Sequence, residues 1–111
     1  MKEDRVYLLH VRDAIRRIES YVAGGRDAFL ADTKTQDAVV RNLEVIGEAV
    51  KRLSQSTRDA HSTVPWKQIA GMRDKMIHEY FGVNLDLVWD AIMRDLPKLA
   101  SEIETILGRD V

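Results

Sequence analysis

The sequence contains no cysteine among its 111 residues. This absence excludes disulfide bonds, thiolate zinc sites and cysteine nucleophiles. No apolar run is long enough to span a bilayer, and the N-terminal segment MKEDRVYLLHVRD lacks the apolar centre of a secretory signal. We therefore expect a cytoplasmic protein that does not associate with membranes.

Strand patterns and blocks of one charge are also missing. No segment alternates apolar and polar residues as a half-buried strand would. The chain carries 17 basic and 18 acidic residues, with a net charge of −1 and no basic tail. Any contact with nucleic acid must therefore come from a local patch formed by folding or dimerisation. The length predicts one domain, residues 1–111.

Apolar residues recur at helical spacing in four segments, 4–22, 34–53, 65–80 and 85–107. Asp4 is a candidate N-cap of the first segment, which Gly24 and Gly25 should end, and the connector RDAFLADT can hold a short helical turn. Pro65 suits the first turn of the third segment, with Ser62 or Thr63 as its cap.

The third helix should end near Tyr80, because Gly82 can supply a C-cap. Pro97 lies inside the fourth helix and should kink it. Four amphipathic helices with short connections predict an all-α, antiparallel four-helix bundle with short extra helical turns. Its apolar positions exceed what a chain of this length readily hides, so we expect a homodimer with two-fold symmetry.

Polar residues cluster at the end of the third helix, in the stretch GMRDKMIHEYFG at 71–82. On a regular helix Arg73 and Tyr80 point within about 20° of each other, whereas Arg73 and His78 diverge by about 140°. The arginine side chain could wrap round the helix, the helix could loosen before Gly82, or two copies of the motif could face one another. Asp74, four residues before His78, and the adjacent Glu79 could hold the imidazole and raise its pKa.

The same residues also have a purely structural interpretation. A histidine near a helix C-terminus is favoured there by the helix dipole, and an arginine close to acids usually forms a surface ion pair. Spacing alone does not decide between these interpretations.

The stretch RDKMIHEY fits the Arg-x4-His-x-Tyr signature of HEPN domains. Nearly the whole chain resembles the HepT-like branch of that family, through RNLEVIGEA, PW, IAGMR, HEYFG and DLVW in this order. The resemblance implies an all-α homodimer whose paired motifs form a metal-independent endoribonuclease that needs no cofactor. Arg73 and His78 match the family's catalytic positions, and Asp74 and Glu79 are supporting residues.

The resemblance also implies a toxin of a toxin–antitoxin system. Its partner would be a small MNT-type nucleotidyltransferase antitoxin that transfers AMP to the motif tyrosine, Tyr80. Asn42 and Glu48 match polar positions of the RNLEVIGEA segment and could face the cleft, although surface or dimer contacts explain them equally well.

Three functions remain open from the sequence. The first is the toxin ribonuclease, with RNA as its substrate. The second is a helical binding or regulatory subunit of a nucleotidyltransferase, in which Tyr80 is modified and cleavage is weak or absent. The third is a structural helical dimer.

Overall fold

The computed structural model of the protein describes residues 2–72, 74, 77–78 and 82–109. Its elements are, in chain order, α1 (Lys2–Tyr21), α2 (Arg26–Ala31), α3 (Thr33–Lys51), α4 (Gln55–Ala60), α5 (Trp66–Ala70), β1 (Ile77–His78), β2 (Gly82–Val83), α6 (Leu85–Asp90), a π-helical turn (Ala91–Asp95) and α7 (Leu96–Arg109). The protein is therefore the predicted all-α bundle, and within the described residues its β-structure is limited to one two-residue strand pair. No helix in that part of the chain is long and apolar enough to cross a membrane.

Helices α1 and α3 form the centre of the bundle. Asp4 bonds to Ser54 at one end of the pair and Arg17 bonds to Asn42 towards the other, so the two helices run antiparallel. The apolar stripes predicted for these two helices are at most 5% exposed at nine positions: Leu8, Val11, Ile15, Ile18, Val39, Leu43, Ile46, Val50 and Leu53. Val22, also predicted for the first stripe, lies just after the end of α1 and is only partly buried. The helical spacing of the nine residues is thus confirmed as the spacing of the core.

The start of α1 differs from the prediction. The helix begins at Lys2, so Asp4 lies inside the first turn and is not its N-cap. Its carboxylate is buried and accepts hydrogen bonds from residues at the start of α4. An acid in the first turn also interacts favourably with the helix dipole. An aspartate is therefore favourable in the first turn as well as at the N-cap.

The end of α1 is as predicted. Gly25 has φ of 93°, a left-handed conformation that side chains disfavour, and it breaks the helix before α2. The predicted short helical turn in the connector is α2, whose Phe29 is buried. The Phe29 ring lies 5.5 Å from the Trp89 ring, centroid to centroid, and this contact packs α2 against α6.

Helix α4 lies between the predicted segments 34–53 and 65–80, where the sequence predicted no helix. It has no buried residue, and the Ser54 side chain caps it by accepting a hydrogen bond from the Thr57 N–H. Pro65 is itself the N-cap of α5, so neither Ser62 nor Thr63 takes that position. Trp66 is buried at the start of α5, and its indole N–H donates to the His61 carbonyl at 3.1 Å.

The C-terminal helical stretch runs from α6 through the π-helical turn into α7. The π-helical turn ends beside Pro97, and the Leu96 N–H bonds to the Ala91 carbonyl five residues earlier. A proline has no N–H and its ring crowds the carbonyl four residues before it, so a wider turn relieves both problems. The helix therefore accommodates Pro97 through this turn without an interruption.

Candidate active site

The candidate active site follows α5, and its position is set by a close contact between α3 and the end of α5. Gly47 is buried on α3, and a Cβ built on it would lie 3.2 Å from the Ala70 carbonyl oxygen. Any larger residue would push the two backbones apart. The missing side chain thus allows the chain after Ala70 to run directly beside α3.

Helix α5 ends well before the predicted position. Gly71 is its C-cap, with its N–H bonded to the Lys67 carbonyl, and Met72 and Asp74 are again helical. Further on, Ile77 and His78 form β1, which pairs antiparallel with Gly82 and Val83 of β2. The prediction of one helix continuing to Tyr80 is therefore wrong.

The strand pair has a local physical reason. Ile77 and Val83 are β-branched residues that favour extended backbone, and they lie opposite one another in the pair. His78 lies opposite Gly82, so Gly82 takes part in the strand pair and is not a helix C-cap. A helix that loosens before Gly82, one of the three arrangements left open by the sequence, agrees with this backbone.

This geometry changes the argument for Asp74. Because His78 lies in β1, the spacing of four residues no longer puts Asp74 and His78 on one helical face. Asp74 is exposed and lines a small cavity of about 200 Å³ between α3 and the end of α5. The cavity also includes Glu48 and Lys51, so two of the predicted polar residues, Asp74 and Glu48, come together there.

The charges around this cavity are mainly negative. Its lining includes the carboxylates of Glu44, Glu48 and Asp74, and Lys51 is the basic residue among the described lining. The Lys51 Nζ lies 3.6 Å from a Glu48 carboxylate oxygen. Such a surface does not attract phosphate by itself. If the site binds RNA, the positive charge must come from elsewhere in the motif.

Asn42 lies apart from the cavity. Its side-chain oxygen accepts a hydrogen bond from the Arg17 Nε at 2.8 Å, and its amide nitrogen donates to the Ala38 carbonyl at 2.8 Å. The residue is 7% exposed, so these bonds satisfy a polar group buried between α1 and α3. The structure does not bring Asn42 together with Glu48, and the contact to α1 is enough to explain it.

The remaining predicted site residues are Arg73, Glu79 and Tyr80, which lie outside the described residues, and His78, which is described by its backbone alone. Their roles remain predictions. No group of three or more acidic or histidine side chains suited to a metal ion occurs in the described part of the chain.

Two residues near the site were not singled out from the sequence. Lys51 belongs to the polar face of α3, where a basic residue usually indicates solvated surface. Gly47 could have been identified from the sequence. A glycine inside a helix destabilises it by about 1 kcal/mol relative to alanine, so its presence usually indicates close packing at that position. The reason here is the approach of Ala70.

Comparison with known proteins bears directly on this site. The family model described as Ribonuclease HepT-like matches residues 11–106, which include the whole motif from Arg73 to Tyr80. The chain belongs to the HepT-like ribonuclease family. No solved structure matches it significantly.

Curated relatives of this HepT-like chain have names that agree with the family. It is 45% identical over 111 residues to "Putative RNase TTE0752" of Caldanaerobacter subterraneus subsp. tengcongensis, covering 99% of both chains. It is 41% identical over 101 residues to "Probable ribonuclease HepT" of Thermococcus cleftensis, covering 90% of this chain and 92% of that one. A longer relative is "Gamma-glutamylcyclotransferase and putative RNase MJ0434" of Methanocaldococcus jannaschii, 42% identical over 107 residues. That match covers 96% of this chain and 48% of the relative.

Proposed function

We propose that this HepT-like protein is a metal-independent endoribonuclease that acts through Arg73, His78 and Tyr80. The observation that carries the proposal is the family match, which spans residues 11–106 and therefore includes the complete Arg-x4-His-x-Tyr motif. Two relatives that match this chain over nearly their whole length also carry ribonuclease names.

The motif contains the groups needed for RNA cleavage without a metal. Attack by the 2′-hydroxyl needs a base to take its proton, an acid to protonate the departing 5′-oxygen, and positive charge beside the phosphorane. His78 supplies the base and the acid, and Arg73 binds phosphate oxygens through its forked guanidinium. The products are a 2′,3′-cyclic phosphate and a 5′-hydroxyl.

The active form is a homodimer in this proposal. One histidine cannot be base and acid in the same step, whereas two copies of His78 related by a two-fold axis can divide the roles. Light scattering should give twice the chain mass of 12.7 kDa.

The biological role that we propose is that of a cytoplasmic toxin neutralised by an MNT-type nucleotidyltransferase antitoxin. The antitoxin adds AMP to Tyr80 and so blocks the anion site at Arg73. This role rests on the family resemblance.

A cleavage assay on the purified protein, free of any partner, tests the proposed activity. Single-stranded RNA should be cut into fragments ending in a 2′,3′-cyclic phosphate, and EDTA should not change the rate. Loss of cleavage with EDTA would contradict the metal-free scheme. Absence of cleavage by a folded dimer would favour the regulatory-subunit function instead.

A further inference from the structure

A groove separate from the acidic cavity lies beside α5. One wall is formed by residues 63–72, around α5, and the other by α6, the π-helical turn and α7. We call it the α5–α7 groove. Its volume is about 910 Å³, and it shares no described lining residue with the cavity at Glu48 and Asp74.

The floor of the α5–α7 groove is apolar. Val64, Ile69, Met72 and Leu99 line it, and each is less than a tenth exposed. Leu87 stands at the rim and is 42% exposed. An apolar floor with a partly exposed leucine beside it can take apolar side chains from a partner.

The rim of the groove carries unpaired negative charge. Among the described residues, its lining includes the acids Asp90, Asp95 and Glu102 and one base, Lys98. Among the described residues none of these four side chains forms an ion pair or a hydrogen bond. Other carboxylates of the described chain do lie within 4 Å of an arginine or lysine nitrogen, namely those of Asp13, Glu44, Glu48, Asp86 and Glu104. The rim carboxylates are therefore available to cations of a partner.

The groove is long. Its lining follows the C-terminal helical stretch from Leu87 to Glu102, sixteen residues whose first and last lie about 22 Å apart at the helical rise. This length suits a helix of about four turns from another protein and exceeds what a compact small molecule needs. Helices that bind in this way place apolar residues at spacings of three and four into an apolar groove.

We propose that the α5–α7 groove binds a basic amphipathic helix of a partner protein. Its apolar face would lie on the floor near Ile69 and Leu99, and its lysines or arginines would meet Asp90, Asp95 and Glu102. The negative rim disfavours RNA, and it disfavours a second copy docked groove to groove, since like charges would then face one another. The proposal does not depend on ribonuclease activity.

The test uses a synthetic helical peptide of about 15 residues, made of leucine at the spacings of one face and lysine elsewhere. A matched peptide with glutamate in place of lysine is the control. Binding is measured by fluorescence anisotropy on the full-length chain, and ¹⁵N chemical shifts locate it. The lysine peptide should bind and perturb amides along 87–102, whereas the glutamate peptide should not bind.

Variants of the groove should change the affinity in opposite directions. Asp90→Lys combined with Asp95→Lys should weaken binding about tenfold or more, and Lys98→Glu should strengthen it about twofold. Leu87→Asn should weaken binding by removing an apolar contact. Asp37→Lys on α3 makes one such substitution, half the charge change of the double variant, at an exposed site outside the groove and should leave the affinity close to that of the unaltered chain.

Several results would overturn the proposal. Shifts that map away from 87–102, or an affinity loss equal in Asp37→Lys and the double variant, would show a general charge effect. Equal binding of both peptides would remove the role of the rim. Dissociation of a homodimer by the double variant or by Leu87→Asn would show that a second copy occupies the groove. All variants are on the surface, and circular dichroism checks that each is folded.

Discussion

The carboxylate of Asp4, in the first turn of α1, is bonded to both the backbone and the side chain of Ser54. It accepts hydrogen bonds from the Ser54 N–H at 2.9 Å and from the Ser54 hydroxyl at 2.6 Å, and a further one from the Thr57 hydroxyl. Ser54 is the N-cap of α4. These hydrogen bonds therefore link the first turn of α1 to the connection between α3 and α4. Burial raises the pKa of Asp4, but these hydrogen bonds outweigh it and the pKa is lowered.

Asp4→Asn should lower the free energy of unfolding by about 1–3 kcal/mol near neutral pH, because an amide cannot accept all three bonds. A lowered pKa in the folded state means that this stabilisation is full above the ordinary pKa of 3.8 and is lost as the pH falls through the lowered value. Urea unfolding should therefore show a difference between the two proteins that shrinks in strong acid.

Asp37→Asn serves as the control for this experiment. Asp37 is exposed on α3, so its replacement should change the stability by less than about 0.5 kcal/mol. A difference between Asp4→Asn and the unaltered chain that stayed constant down to acid pH would show that the carboxylate charge is not the cause.

The contact between Gly47 and Ala70 leads to a prediction about activity. In Gly47→Ala the new methyl group meets the Ala70 carbonyl at 3.2 Å, so the end of α5 must move by a few tenths of an ångström. Because the motif follows Ala70, RNA cleavage should fall about tenfold while the helical circular dichroism signal stays the same.

Gly108→Ala is the matched control, since nothing lies within 4 Å of a Cβ at that position on α7. It should leave cleavage unchanged. Equal activity of the two alanine variants would show that the approach of α3 and α5 does not position the site.

Helices that pack along their whole length could be predicted from the sequence. The stripes of α1, α3 and the C-terminal stretch repeat at helical spacing because burial selects apolar residues there. Helix α4 could not be predicted in this way, because it has no buried residue and depends on its Ser54 cap. The end of α5 was also missed, since Met72, Met76 and Ile77 continue the helical pattern, while Gly71 and the pairing of Ile77 with Val83 end the helix.

Contacts between distant residues explain the remaining differences. Asp4 can be buried because it is hydrogen-bonded to Ser54, and Asn42 because it is hydrogen-bonded to Arg17. No local sequence pattern indicates either partner. The candidate site was predicted from its sequence motif. That Asp74 and Glu48 line one cavity could not be predicted in this way, because it depends on the close approach of α3 and α5 at Gly47.

The proposed catalytic roles predict a specific loss of activity. Arg73→Ala and His78→Ala should each lower RNA cleavage by at least about a hundredfold, because both side chains act on charge in the transition state. They should also remove any growth inhibition on expression. Thermal unfolding should be nearly unchanged, which separates a chemical loss from a structural one.

Replacements of the same type elsewhere provide the controls. His10→Ala removes an exposed histidine on α1, and Arg16→Ala removes an arginine that is 61% exposed and pairs with Glu104. Both should keep full cleavage. If either lowered cleavage as much as the motif variants do, the reaction would not be centred on Arg73 and His78.

The last prediction concerns modification of Tyr80, which lies between β1 and β2 in the sequence. An AMP group on this tyrosine would bring a phosphate to the motif that contains Arg73, and its negative charge would compete with RNA for the guanidinium. Co-expression with a cognate MNT-type nucleotidyltransferase should therefore add mass in units of AMP and abolish cleavage. Tyr80→Phe should remove the added mass, whereas Tyr21→Phe should keep it, since Tyr21 is an exposed tyrosine on α1 outside the motif. A stable, unmodified and inactive complex would instead mean that the partner inhibits by covering the site, and Tyr80 would then contribute through packing or substrate contact alone.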